Sequence, residues 1–333
     1  MEETKGMKTA RLGRQGPVVS ALGLGCMGMS AVYGAADEAE SIATVQMAID
    51  HGITLIDTGD FYGMGHNEML LRRALAGRRA QVQISVKFGA MRTPSGAWSG
   101  YDARPAAVNN FLAYTLQRLG TDYVDIYRPA RLDPAVPIEE TVGAIGRLVE
   151  QGYVRHIGLS EISGETARRA AAVHAISDVQ LEYSMVSRGI EPKILPTLRE
   201  LGIGVTAYGV LSRGLLSGSR PKDQGDIRNR MPRFAAGNYE ENRKFIAALQ
   251  KLAAERGVTS AQLAIAWVRS RGEDIVPLVG ARTRPQLQEA LAGFELKLSE
   301  EERQRMEAAV PAAEVRGQRY DEPQLKMLDS ERG

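Results

Sequence analysis

Leu55-Ile56-Asp57-Thr58-Gly59-Asp60-Phe61-Tyr62-Gly63 is a short apolar run that ends on an acid and passes into a loop carrying a phenol. Such a run reads as a β-strand, and the residues at its carboxyl end read as a site. Asp57 stands where the apolar run stops, and Tyr62 follows five residues later. A chain that doubles back at Gly59 and Gly63 brings both to one pocket, and glycine makes that fold-back cheap. A second run, Val82-Gln83-Ile84-Ser85-Val86-Lys87, ends on a lysine just before Phe88-Gly89. If the two strands are neighbours, Lys87 stands beside the first loop. Taken alone, the same residues read more readily as turn formers, a half-buried aromatic and a solvated strand end.

The rest of the chain decides between these readings by repeating the pattern. Residues 8–12 and 17–22 flank a Gly-Arg-Gln-Gly turn and predict a β-hairpin. Strands are then expected at 22–25, 55–57, 82–87, 123–127, 154–159, 179–181, 204–208 and 275–278. Helices are expected at 38–50, 68–75, 105–119, 138–151 and 165–173, in a segment reaching 201, and at 239–256, 260–269 and 284–292. Eight strand-helix units with no break in composition predict an α/β fold, one closed (β/α)8 barrel spanning 1–333, with peripheral tails at 1–7 and about 312–333. Residues 300–309 add an amphipathic helix, and the charged end is expected to lie over the barrel or to fray. A dinucleotide-binding doubly wound sheet is the competitor. Gly23, Gly25 and Gly28 have the wrong spacing for its fingerprint, and no helix follows them.

Bulk properties narrow the class further. With 44% hydrophobic and 25% charged residues over 333 positions, the chain has the composition of a soluble globular protein. Forty-two Lys and Arg against 40 Asp and Glu leave a formal charge of +2 without a basic block, so nucleic acid is not an expected partner. A single cysteine, Cys26, permits no internal disulfide and no cysteine-based zinc site. The four histidines, His51, His66, His156 and His174, lack metal-ligand spacing, and no metal is expected. The start is polar and acidic rather than signal-like, and no apolar run approaches the ~20 residues of a membrane span. A cytoplasmic protein without a membrane partner is the expectation.

In such a barrel the residues after each strand face one shared mouth. Reading them together gives Gly25-Cys26-Met27, Asp57 with Tyr62, Lys87, residues 127–131, Ser160-Glu161, Gln180, Tyr208 and Gly280-Ala281-Arg282. This set resembles the aldo-keto reductase superfamily over nearly the whole chain. The resemblance is carried by Gly-Leu-Gly-Cys-Met-Gly-Met-Ser at 23–30, Ile-Asp-Thr-Gly-Asp-Phe-Tyr-Gly at 56–63, Ser-Val-Lys-Phe-Gly at 85–89 and Arg-Leu-Gly-Thr-Asp-Tyr-Val-Asp-Ile-Tyr at 118–127. Further matches are Ile-Gly-Leu-Ser-Glu at 157–161, Gln-Leu-Glu-Tyr-Ser at 180–184 and Leu-Ser-Arg-Gly-Leu-Leu-Ser-Gly at 211–218.

The resemblance implies an NADPH-dependent reductase that delivers hydride to the carbonyl carbon of a small molecule. Tyr62 matches the general acid, Lys87 the ammonium that favours its phenolate, and Asp57 the carboxylate that holds the lysine. Gly25, Met27, Ser160, Glu161 and Gln180 match positions around the nicotinamide, although many relatives carry Asn in place of Glu161. Tyr208 matches the aromatic on which that ring stacks. Leu211 and Arg213 match the pyrophosphate contacts. Arg282 matches the 2′-phosphate ligand at a helix N-terminus, with Gln286 beside it and Glu289 toward the adenine.

One position departs from the pattern. Relatives place a histidine before Arg-x-Asp-Pro, and this chain has Ala130 there, which removes an oxyanion donor. Strand alternation carried past Arg128 predicts that Arg128 shares the face of Ala130, making it the replacement donor, with Arg131 turned away. Tyr33 and Trp98 are expected to line the substrate pocket with Arg128 and Ala130. The missing histidine leaves a second function open, a slow or non-catalytic NADP-binding redox sensor.

Overall fold

The computed structural model describes residues 6–221 and 223–332, so most of the predicted tail 1–7 lies outside the described residues. The chain enters through an antiparallel hairpin, β1 (Thr9–Arg11) and β2 (Val18–Ser20), with Ala10 opposite Val19. Its Gly13 has φ +66°, and a Cβ there would lie 2.5 Å from the Ser177 carbonyl oxygen. Glycine is therefore required where the hairpin meets the barrel floor. Leu12 and Val19 pack with Leu55, Ile126, Val276 and Leu278, so the hairpin closes the amino-terminal end with an apolar plug.

Strands and helices then alternate: β3 (Gly23–Gly25), α1 (Glu38–Asp50), β4 (Leu55–Gly59), α2 (His66–Ala74) and β5 (Gln83–Phe88). A small hairpin follows, β6 (Ala90–Arg92) and β7 (Trp98–Tyr101), and after it α3 (Pro105–Leu119), β8 (Val124–Pro129), α4 (Ile138–Glu150) and β9 (Val154–Ser160). The last units are α5 (Gly164–Ala171), β10 (Ile176–Glu182), α6 (Ile194–Leu201), β11 (Gly204–Tyr208), α7 (Ala236–Glu255), α8 (Ser260–Arg269), β12 (Ile275–Gly280) and α9 (Arg284–Glu295). Beyond them come α10 (Glu300–Ala309) and the short α11 (Glu322–Leu325).

β3, β4, β5, β8, β9, β10, β11 and β12 close into one parallel barrel, with β12 paired back to β3. The eight predicted strands are all present. Residues of β4, β8 and β10 are buried along their whole lengths, as they must be when helices cover one face and side chains fill the other. α4 shows how the sequence sets the outer layer: Ile138, Thr141, Val142, Ile145 and Leu148 are buried at helical spacing. Local signals set the helix ends. Pro105 opens α3 and Gly120, at φ +65°, ends it, while Thr259 and Gln262 form a reciprocal capping box at the start of α8.

One segment differs from the expectation, and the tail takes the first of its two expected courses. The loop expected after the third barrel strand contains the β6–β7 hairpin, which turns at Gly96 (φ +80°) and sets Trp98 edge-on to Tyr101 at 5.5 Å. The charged tail does not fray: it returns across the carboxyl-terminal mouth, where Arg319, Tyr320 and Ser330 bond to residues at the strand ends. No described helix is long and apolar enough to cross a membrane.

Candidate active site

Barrel register brings the strand-end residues to one level. Gly25 pairs with Asp57, Gly59 with Lys87, Lys87 with Arg128, Ser160 with Gln180, Glu182 with Tyr208 and Gly280 with Gly25. Lys87 Nζ lies 2.5 Å from Asp57 Oδ2, and both side chains are buried. The other carboxylate oxygen, Asp57 Oδ1, accepts from Gln180 Nε2 at 2.8 Å and Ser85 Oγ at 3.0 Å. Asp57 is thus held in one orientation from two strands, β5 and β10.

Tyr62 reaches this pair through a backbone that turns at Gly63 and Gly65, both in the left-handed region with Met64 between them. Gly59 stays in the strand, and a Cβ there would press on the rings of Phe61 and Tyr62 at 3.1 and 3.3 Å. Lys87 Nζ sits 5.2 Å from the Tyr62 ring centroid. Burial pushes the Tyr62 phenol well above its ordinary value, and the negative charge of Asp57 adds to the shift. Burial likewise pulls Lys87 down, against the opposing attraction of Asp57. The Lys87 ammonium is bonded to Asp57, and the net shift on the buried phenol is upward. Cys26 is fully buried beneath them, with its thiol pushed up by burial.

Arg128 corrects the prediction that it replaces the missing histidine. Its guanidinium is fully buried inside the barrel, Nη1 and Nη2 forking onto Asp178 at 2.8 and 3.1 Å. Nη2 also donates to Ser85 Oγ, and Nη1 to the carbonyl of Leu159. Both Nη atoms are spent on these partners, and Nε, although unpartnered, is sealed inside the barrel. The strand stops at Pro129, so alternation does not carry to Arg131. Arg131 is the arginine that folds toward the mouth, donating to the Ala130 carbonyl at 2.6 Å and to the Tyr320 hydroxyl at 3.3 Å. Ala130 itself is buried, its amide bonded to Phe88 O.

At the end of the adjacent strand β9, Ser160 is buried and its hydroxyl has no partner. Glu161, at φ +52°, is fully committed. Its Oε1 accepts from Tyr208 OH (2.8 Å) and the Glu182 amide (2.9 Å), and its Oε2 from Arg319 (2.5 Å) and Ser330 (2.6 Å). Burial alone would raise the Glu161 carboxyl, but Arg319, Arg131 and Ser330 together outweigh it and carry it down to about 2. Tyr208 also bonds the Tyr320 hydroxyl at 3.0 Å.

Arg213, in the left-handed region after Leu211, pairs with Glu182 at 3.0 Å and lies over the Tyr320 ring at 4.5 Å. Arg282 donates through Nη1 to the carbonyls of Tyr33, Gly34 and Ala35, while its amide bonds Gln286. Glu289 lies one turn on, in α9. Trp98 stands 43% exposed on the small hairpin, and Met27 opens a short 3-10 turn after Gly25. No described group of three or more His, Cys, Asp or Glu residues is arranged to hold a metal.

The sequence reading missed Arg131, Asp178, Glu182, Arg319, Tyr320 and Ser330. One signal for the tail was available in Gly317: a Cβ there would meet Pro232 at 2.7 Å, so glycine before Gln-Arg-Tyr marks a tight docking of the tail.

The chain matches the aldo/keto reductase family over residues 21–311. It is 39% identical over 319 residues to probable aldo-keto reductase 1 of Glycine max, covering 94% of this chain and 92% of that protein. Among solved structures it is similar to the glycerol dehydrogenase of Gluconobacter oxydans, with TM-score 0.82 and 28% identity over 90% of this chain and 94% of the other. It is also similar to the holo form of an aldo-keto reductase from Bacillus halodurans, with TM-score 0.75 and 27% identity over 92% and 97% of the two chains.

Proposed function

The chain belongs to the aldo/keto reductase family, whose members carry out oxidoreduction at carbonyls with a nicotinamide cofactor, and from that membership we propose that it reduces an aldehyde or ketone to the alcohol, reversibly, using NADPH and Tyr62 as the general acid. The observation that carries this reading is the buried line of Asp57, Lys87 and Tyr62 at the mouth.

Features of the mouth suit such a cofactor. The orphaned hydroxyl of Ser160 is a partner for a carboxamide. Gly25 and Gly280 leave the space between two strand ends open: a Cβ on Gly25 would come no nearer than 3.7 Å to Val279 O, and one on Gly280 4.0 Å from Gly25 O. Ser160, Gln180 and Tyr208 would hold the nicotinamide end and Met27 its edge. Leu211 and Arg213 would hold the pyrophosphate, and Arg282, Gln286 and Glu289 the adenosine phosphate end. Thr283 makes no side-chain cap at the start of α9, where the Glu40 carboxylate accepts from the Arg284 amide at 2.8 Å, the place an incoming phosphate would compete for. Glu161 serves the carboxamide only when Arg319 releases it.

When bound, the reduced nicotinamide supplies the hydride. Tyr62 gives its proton to the carbonyl oxygen, and burial together with Asp57 keeps the phenol protonated at neutral pH, the state an acid needs in the reductive direction. Lys87, held by Asp57, lies where it offsets the charge left on the oxygen of Tyr62. A second reading, an NADP-binding redox sensor with slow turnover, is favoured by Ala130 and by the closure of Arg319 and Tyr320 over Tyr208. Oxidation of NADPH monitored across an aldehyde panel tests both. Substrate-dependent oxidation is expected, and tight NADPH binding without turnover on any carbonyl would replace the first reading by the second.

A further inference from the structure

Charge matching around the mouth is nearly complete. Lys87 pairs with Asp57, Arg128 with Asp178, Arg213 and Arg233 with Glu182, and Arg319 with Glu161. Arg131 is an exception, as is Arg282, whose guanidinium bonds only backbone carbonyls: among the described residues no carboxylate lies within ion-pair distance of either guanidinium. The side-chain partners of Arg131 are neutral, the carbonyl of Ala130 and the hydroxyl of Tyr320, whose ring lies 5.9 Å away. A half-buried cation with no counter-ion in contact has lost part of its hydration, and the Glu161 carboxylate acts on it only from beyond ion-pair distance. Such a group suits an anion that arrives from outside, and a guanidinium suits one with two oxygens in a plane.

Position indicates what that anion belongs to. Arg131 directly follows Ala130, where the side chain is a methyl group and leaves space beside the reacting centre. Its charge acts on both Tyr62 and Lys87. Around the barrel, β8 stands four strands from β12 in either direction, so Arg131 lies across the mouth from Arg282 and the end assigned to the adenosine phosphate. The cofactor's own phosphates are therefore met elsewhere.

We propose that the carbonyl substrate carries a carboxylate and that Arg131, steadied by the Tyr320 hydroxyl, is the residue that binds it. This rests on the carbonyl-reductase reading and narrows its substrate class to aldehydes or ketones bearing an acid. The carboxylate also supplies the orientation that a histidine at position 130 would otherwise give, by anchoring the substrate on the side where Ala130 contributes no donor.

Matched aldehyde pairs test this with NADPH and the full-length protein: succinic semialdehyde against butanal, and 4-carboxybenzaldehyde against 4-methylbenzaldehyde. The wild-type kcat/KM should favour the acid of each pair by roughly ten- to a hundredfold. Arg131→Gln should bring that ratio close to one, and Arg131→Lys should keep part of it. A ratio near one in the wild type overturns the proposal without any variant. So does an Arg131→Gln protein that loses activity equally on acid and neutral members, the signature of a structural role. If no aldehyde of either pair is reduced, the carbonyl-reductase reading itself falls, an outcome distinct from equal reduction of both members.

Discussion

Arg319 Nη2 lies 2.5 Å from Glu161 Oε2, an ion pair that ties the carboxyl-terminal segment to the end of β9 across 158 residues of sequence. Glu161 is fully buried and Arg319 nearly so. Removing one partner of a buried pair leaves the other charge without compensation, typically at a cost of about 3–5 kcal/mol. Arg319→Ala should therefore lower the urea midpoint at pH 7 clearly, and Arg319→Lys less. The same change frees Glu161 and loosens Tyr320, so NADPH should associate and dissociate faster in stopped-flow fluorescence. Unchanged rates with reduced stability would make the segment a brace with no part in cofactor entry.

The Glu161 carboxyl also sets a pH window. Its folded value of about 2 lies below the ordinary 4.5, so its contribution is present above the unfolded value and is lost as pH falls from about 4.5 toward 2. The linkage amounts to about 3 kcal/mol. Wild type should lose stability faster than Glu161→Gln over that interval. Denaturant midpoints at pH 5, 4 and 3 measure the difference, and parallel curves would show that Glu161 is not responsible.

Tyr62→Phe should remove nearly all turnover while changing NADPH affinity little, because the hydroxyl acts on the substrate oxygen. Lys87→Met should also reduce kcat. Lys87 is desolvated and already pulled below its ordinary value, so removing it leaves Asp57 as a buried carboxylate without its cation, and stability should fall as well. A Tyr62→Phe protein with wild-type kcat on a confirmed carbonyl would eliminate Tyr62 as the acid.

Most of the barrel was legible because each strand is a short apolar run and each helix has a buried stripe, signals set by residues a few positions apart. Asp57, Lys87, Ser160 and Gln180 were legible as strand ends for the same reason, and register brings them together. The Arg128 prediction failed where local geometry changed: alternation holds only while a strand lasts, and β8 ends at Pro129. Nothing periodic could announce that Arg319 meets Glu161, because the contact depends on how the tail crosses the finished barrel. The lowered Lys87 and raised Tyr62 were hidden for a related reason, since burial depends on everything that covers the mouth.

Arg282 supplies a test of cofactor preference with an internal control. Its Nη1 binds the carbonyls of Tyr33, Gly34 and Ala35, so Arg282→Ala should loosen that loop and weaken both NADPH and NADH. Only NADPH carries the additional phosphate, and a charge-assisted contact to it is worth roughly 1.5–3 kcal/mol. The dissociation constant for NADPH should therefore rise about tenfold or more beyond that for NADH. Equal losses would move the phosphate to another residue.

Asp60 should give the opposite pH behaviour to Glu161, from the same end of the barrel. It is buried where β4 gives way to the Tyr62 loop, its amide bonded to Lys87 O and its carboxylate within 3.4 Å of the Gly89 amide, with no cation in ion-pair contact among the described residues. Burial pushes its carboxyl up, the negative charge of Glu68 adds, and the group is carried from 3.8 to about 7. A folded value above the unfolded one means that the native state holds the proton more tightly. Stability from Asp60 is therefore full below about pH 4 and is lost as pH rises to about 7, by up to about 4 kcal/mol. Asp60→Asn cannot ionise, so its stability relative to wild type should improve steadily from pH 4 to pH 7 and then level off. Any fixed cost of fitting the amide shifts the whole curve without changing its slope, which makes the slope the quantity to measure. Urea midpoints for the two proteins at half-unit intervals from pH 4 to pH 8 give it. A difference that stays flat through that range would mean that Asp60 is ionised throughout and that its burial is compensated by water or by movement of the Tyr62 loop.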